Sequence, residues 1–123
     1  MQISAISSSE LEVMKFLWKN PGAALPEIIE GVQENNEWEK STVKTLLARL
    51  VEKSLVEQQG RKRLYTYHPL VTLDEFRNEA TENLVQQAFN NNIAEIVSFF
   101  VRSGKLSPED ITELEKNLLE LKK

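Results

Sequence analysis

Between Val43 and His68 the apolar spacing changes from a helical period to a strand period with no linker between, and few small folds accommodate that switch. Plotted at about 100° per residue, Val43, Leu46, Leu47, Leu50 and Val51 fall within one stripe. The stripe predicts a helix from just after Trp38 to about Lys53, lying with that face on a core. Its opposite face carries Ser41, Thr45, Ala48 and Glu52, with Thr42, Lys44 and Arg49 at the edges. Directly behind it, Leu55–Gln59 and Leu64–His68 place β-branched and aromatic residues around a glycine-bearing turn, Gly60-Arg61-Lys62-Arg63. Pro69 closes the second of these two strands.

Two helices precede this segment. Ser7-x-x-Glu10 is a capping-box pattern, and Leu11, Met14, Leu17 and Trp18 recur at helical spacing up to Asn20-Pro21-Gly22. Pro26 suits the first turn of a second, short helix whose apolar face is Ile28, Ile29 and Val32 and whose end is Asn35-Asn36. Three more helices follow the hairpin. Thr72-x-x-Glu75 opens one with apolar positions at Leu73, Phe76, Ala80, Leu84, Ala88 and Phe89, interrupted by Asn90-Asn91-Asn92. The next, Ile93 to Arg102, is densely apolar and ends near Gly104. Ser107-Pro108-Glu109-Asp110 caps the last, where Ile111, Leu114, Leu118 and Leu121 repeat at three-four-three spacing, as in a helix–helix seam.

The expected fold is therefore mainly α with a small β-hairpin wing: a winged helix-turn-helix over residues 1–70, then a helical region over 71–123. The second region is too small for a core of its own. Its surplus apolar surface, with Ile93, Ile96, Val97 and Phe100 on one helix and Ile111, Leu114, Leu118 and Leu121 on the other, predicts dimerisation with a second copy.

Charge is distributed unevenly along the chain. Lys40 to Tyr65 holds seven basic and two acidic residues, a balance of +5, whereas residues 1–39 carry −5 and the stretch after Tyr65 carries −4. A polyanion is therefore steered to one face only. Ser41, Thr42, Lys44, Thr45 and Arg49 are candidate contacts from a helix in the major groove of double-stranded DNA, because hydroxyls and long cations reach base edges or phosphates from there. Arg61, Lys62 and Arg63 sit at a hairpin tip where a merely solvated turn more often uses Asn, Asp or Ser, so they are expected to grip phosphates or the minor groove. The competing reading from another class is a winged-helix adaptor that applies the same basic face to an acidic protein.

Composition narrows the remaining options. At 123 residues, with 41% hydrophobic and 28% charged content, the chain is an ordinary globular protein with room for one small core and an accessory region. No apolar run approaches the roughly 20 residues of a membrane span, and the start lacks a signal-peptide layout, so the chain reads as cytoplasmic. With no cysteine and one histidine, His68, there are no thiolate nucleophiles, thiolate metal sites or histidine pairs. No enzyme activity, metal or cofactor is expected. Trp18, at the end of an apolar stripe, and Trp38, placed like a staple before the third helix, are read as core, and His68 as structural. Glu109, Asp110, Glu113 and Glu115 are read as a solvated face at a helix N-terminus that favours negative charge.

With these elements in place, the chain resembles the penicillinase-repressor family of bacterial transcription factors, which includes β-lactam-responsive and copper-responsive repressors. The family's opening pattern, Ile-Ser-x-x-Glu-x-x-Val-Met-x-x-x-Trp, is matched at every fixed position by Ile6-Ser7-Ser8-Ser9-Glu10-Leu11-Glu12-Val13-Met14-Lys15-Phe16-Leu17-Trp18. The run from Trp38 through Ser41-Thr42-Val43-Lys44-Thr45-Leu46-Leu47-Ala48-Arg49-Leu50 to Lys53 is similar to the family's recognition helix. The resemblance implies a homodimer that binds inverted repeats built on TACA/TGTA half-sites and blocks transcription. In β-lactam-responsive members it also implies a membrane sensor as partner and cleavage of the repressor at an Asn-Phe bond in the dimerisation region. The corresponding stretch here is Ser98-Phe99-Phe100-Val101, where no Asn precedes either Phe. The paired cysteines of the copper-responsive members are absent. The cap positions of the second and third helices, Ala24 and Glu39, predict weaker helix starts than a Ser would give.

Overall fold

Ser7 starts the first helix as the sequence pattern requires: its hydroxyl accepts from the Glu10 amide at 3.1 Å, and the Glu10 carboxylate accepts from the Ser7 amide at 2.8 Å. In the computed structural model, which describes residues 6–122, the order is α1 (Ser8–Lys19), β1 (Ala23–Ala24), α2 (Leu25–Gln33), α3 (Lys40–Glu52), β2 (Val56–Gln59), β3 (Thr66–Pro69), α4 (Leu73–Gln87), α5 (Ile93–Arg102) and α6 (Pro108–Leu121). The chain divides into two compact units that meet between Ala80 and Thr81, within α4. Among the described residues, no helix is long and apolar enough to cross a membrane.

The first unit is built around one core. Val13, Met14 and Leu17 of α1, Ile28, Ile29 and Val32 of α2, and Val43, Leu46, Leu47 and Leu50 of α3 are buried together with Leu55, Val56, Tyr67 and Val71. The α3 stripe lies where its spacing put it, except that Val51 is only half-buried. Trp18 and Trp38 pack against the same core. The Trp18 indole N–H donates to the Val71 carbonyl at 2.9 Å, and its ring meets Phe76 at 5.4 Å between centroids, tying the start of α4 to α1. Gly31 of α2 leaves room for the Phe16 ring, which a β-carbon there would overlap. Gly31→Ala is therefore expected to cost a net 1–2 kcal/mol, roughly, overpacking outweighing alanine's better helix propensity. A urea unfolding midpoint equal to wild type would show that Phe16 swings aside freely.

The sheet has three strands in the order β1-β3-β2, all antiparallel, with Ala23 opposite Tyr67 and Gln58 opposite Tyr67 on the other side. Two features of it differ from the sequence expectation. The strand β1, only two residues long, has no periodicity of its own and exists because β3 offers it an edge, helped by the Gly22 amide donating to the Tyr67 carbonyl at 2.9 Å. The second hairpin strand begins at Thr66 and not at Leu64, since Arg63 turns into the left-handed region at φ 79° and the Leu64 amide closes back on the Arg61 carbonyl at 2.7 Å. His68 has the structural role expected, its ring lying over Gly22 and bonding to the Thr66 hydroxyl at 3.0 Å.

In the second unit Asn90 and Asn91 take left-handed φ values of 51° and 65° just after α4, and the Asn92 side chain caps α5 by accepting from the Glu95 amide at 3.0 Å. Ser107 and Asp110 form the expected capping box of α6, and the Ser107 amide and hydroxyl hold the Asp110 carboxyl below its usual range. Phe99 packs edge-on against both Phe89 and Phe100, at 5.8 and 5.9 Å between centroids. No described residue of α4, α5 or α6 is fully buried.

Candidate nucleic-acid interface

The face of α3 turned away from the core is a continuous polar surface. Ser41, Thr42, Lys44, Thr45, Ala48 and Arg49 are all exposed, alternating with the buried Val43, Leu46, Leu47 and Leu50. The Thr45 hydroxyl donates to the Ser41 carbonyl at 2.9 Å, which uses its proton within the helix, while the residue itself is exposed. Lys40 at the first position of α3 is also exposed and belongs to this face; it lies outside the core stripe, and the same spacing that selects Lys44 would have selected it. Neither Ala24 nor Glu39 makes a side-chain cap, in agreement with the sequence, although Glu27 reaches back to the Ala24 amide at 3.3 Å.

Lys44 stands between two shallow depressions. One is lined by Leu25, Pro26, Ile29, Glu30, Gln33 and Lys40, across α2 and α3. The other runs from Ala48 and Val51 of α3 to Gln58 and Tyr67 of the sheet, so helix and wing strands border one concave surface. Burial, with Tyr65 adding to it, pushes the Tyr67 phenol above its usual value, and its hydroxyl accepts from the Gln58 amide at 3.3 Å. A further depression between α1 and α2, beside Phe16 and Gly31, shares no residue with α3 or the sheet.

Arg61, Lys62 and Arg63 are exposed at the wing tip. Gly60 makes this tip possible: at φ 97°, a β-carbon on it would approach the Leu64 carbonyl oxygen to 2.7 Å. One cation of the basic segment is not part of the display. Lys53, at the end of α3, holds the buried Glu10 carboxylate of α1 at 2.7 and 2.9 Å. The outward charge of residues 40–65 is thus six exposed cations against Glu52 and Glu57, both exposed. Among the described residues, no three His, Asp or Glu side chains converge as a metal site would require.

A helix whose bare outer face adjoins a two-stranded wing with a tricationic tip is the layout of a winged-helix DNA-binding unit, and the comparisons with known proteins decide the family. The model of the penicillinase repressor family matches residues 6–120. The chain belongs to that family. It is similar to the methicillin resistance regulatory protein MecI of Mammaliicoccus sciuri, 30% identical over 117 residues that cover 95% of this chain and 94% of that one. It is likewise similar to the penicillinase repressor of Bacillus licheniformis, 29% identical with 98% and 94% covered. Among solved structures, the Bacillus licheniformis BlaI monomer in complex with the blaP half-operator aligns with a TM-score of 0.51 and 31% identity, over 57% of this chain and 85% of that one. The family is one of repressors, not of enzymes, and the winged helix is the shared fold.

Proposed function

We propose that this transcriptional repressor of the penicillinase repressor family acts as a homodimer on an inverted-repeat operator, in the cytoplasm. The observation that carries the reading is the outer face of α3, bare of apolar bulk and continued by the wing's three exposed cations, in a chain that is otherwise acidic. In this reading residues 1–70 form the DNA-binding domain and 71–123 the dimerisation domain. Ser41, Thr42 and Thr45 are short enough to let the α3 backbone approach base edges, so specificity lies with them, while Lys44, Arg49, Arg61, Lys62 and Arg63 engage phosphates. Dimerisation falls to Ile93, Ile96, Val97 and Phe100 of α5 and to Ile111, Leu114, Leu118 and Leu121 of α6. Ser98–Val101 offers no Asn-Phe bond for a sensor-triggered cut.

A gel-shift titration across salt concentration tests this reading. Binding should weaken steeply as salt rises, and Arg61→Ala with Lys62→Ala should weaken it about equally on all sequences while flattening the salt slope by about one unit per lost phosphate contact. An unchanged slope would remove the wing from the interface. A wild-type chain that shifts no DNA, yet is captured by an acidic protein through the same cations, would favour the adaptor.

A further inference from the structure

Leu64 is 76% exposed, more than any other large apolar side chain described in the first unit. A single exposed leucine is ordinary on a protein surface, but this one is held in place. Its amide is tied to the Arg61 carbonyl at 2.7 Å, Arg63 before it takes a left-handed φ of 79°, and its own carbonyl leaves space only for glycine at position 60. A long-chain residue such as arginine seldom adopts that backbone conformation. The neighbouring Tyr65 packs against the core and Leu64 does not, so burial elsewhere does not explain the turn's shape. The result is one apolar side chain presented directly beside three cations.

The minor groove of DNA has the complementary pattern: anionic phosphate rims, and between them walls of sugar C–H groups over a floor of base edges. We propose that Leu64 is an apolar wedge that the wing seats in the minor groove, with Arg61, Lys62 and Arg63 on the phosphates at its rims. This inference rests on the DNA reading given above and extends it. It makes the wing sensitive to sequence without a hydrogen bond to any base, because the exocyclic amino group of guanine protrudes from the groove floor where a wedge would sit.

The test uses a duplex carrying the inverted TACA/TGTA repeat, in which the A·T pairs bordering each half-site are replaced by G·C or by inosine·C. Inosine·C presents the minor groove of A·T and the major groove of G·C. Wild type should lose about tenfold in affinity on the G·C borders and little on inosine·C. Leu64→Ala, whose missing side chain is exposed and leaves the core untouched, should bind all three duplexes alike and more weakly than wild type binds the A·T form. Arg61→Ala with Lys62→Ala should lose affinity on all three while keeping the discrimination, which separates the wedge from the charge. Discrimination that survives in Leu64→Ala, or inosine·C behaving as G·C does, overturns the wedge and leaves the DNA reading standing. Wild type shifting neither these duplexes nor random DNA overturns both.

Discussion

Leu114→Asp combined with Leu118→Asp is expected to convert a dimer into monomers and to reduce operator affinity by roughly two to four orders of magnitude. The second unit supplies the reason. Ile93, Val97, Phe99, Val101, Ile111, Leu114, Leu118, Leu119 and Leu121 are each at least 41% exposed in the single chain, and none of α4 to α6 contains a fully buried described residue. Helical segments this short rarely hold together on apolar faces left in water, and association is the usual remedy below about 40 residues. Each aspartate would put an unpaired charge in the seam, at a cost of several kcal/mol unless the chains separate. Losing the second half-site then removes the intramolecular advantage of the second binding event. Sedimentation of wild type and variant at micromolar concentration, paired with operator titrations, checks both steps. A wild-type monomer, or a variant that stays dimeric and binds fully, would show that the interface lies elsewhere.

The residues proposed for that interface were legible to different degrees. Ile111, Leu114, Leu118 and Leu121, picked out by their spacing, stand exposed along α6, and so does Leu119, 65% exposed, which that spacing did not select. On α5, Ile96 and Phe100 are half-buried rather than free, and Phe100 meets Phe99 within the unit. Local rules served well where the cause is local. The capping boxes at Ser7 and Ser107 and the bounds of α5 follow from a few adjacent residues. They failed where the cause is tertiary: β1 is a strand only because Ala23 and Ala24 lie beside β3, and no pattern in two alanines announces that. The core face of α3 was legible at Val43, Leu46, Leu47 and Leu50, because a stripe of branched apolar residues admits one orientation, and less so at its end, where Val51 is half-buried. The charge pattern was legible only in outline, since counting cations along the chain cannot show that Lys53 is turned inward to Glu10.

That inward turn sets the largest expected effect on stability. Glu10 is 1% exposed, and its partner Lys53 lies 43 positions along the chain at the far end of α3. Burial pushes the Glu10 carboxyl up, but the Lys53 ammonium and the Ser7 amide and hydroxyl more than offset this, holding it below the ordinary carboxylate range. The folded state therefore binds the proton less readily than the unfolded chain. The stability this contributes is complete above the ordinary value and is lost as pH falls through the lower folded one. Lys53→Met strands a carboxylate in the core at neutral pH and should cost about 3 kcal/mol, the lower end for a broken buried pair because Lys53 itself is partly exposed. For a unit of this size that is a fall of more than about 10 °C in melting temperature. With the cation gone, burial is opposed only by Ser7, so Glu10 should take up a proton at higher pH than in wild type, and the deficit should shrink on acidification toward pH 4, roughly the ordinary carboxylate value. Glu10→Gln combined with Lys53→Met, which leaves no charge to strand, should recover part of the loss. Thermal unfolding of the three proteins at both pH values decides the matter: a deficit in Lys53→Met that is independent of pH, or absent, would mean that Lys53 does not hold a charged Glu10 in the core.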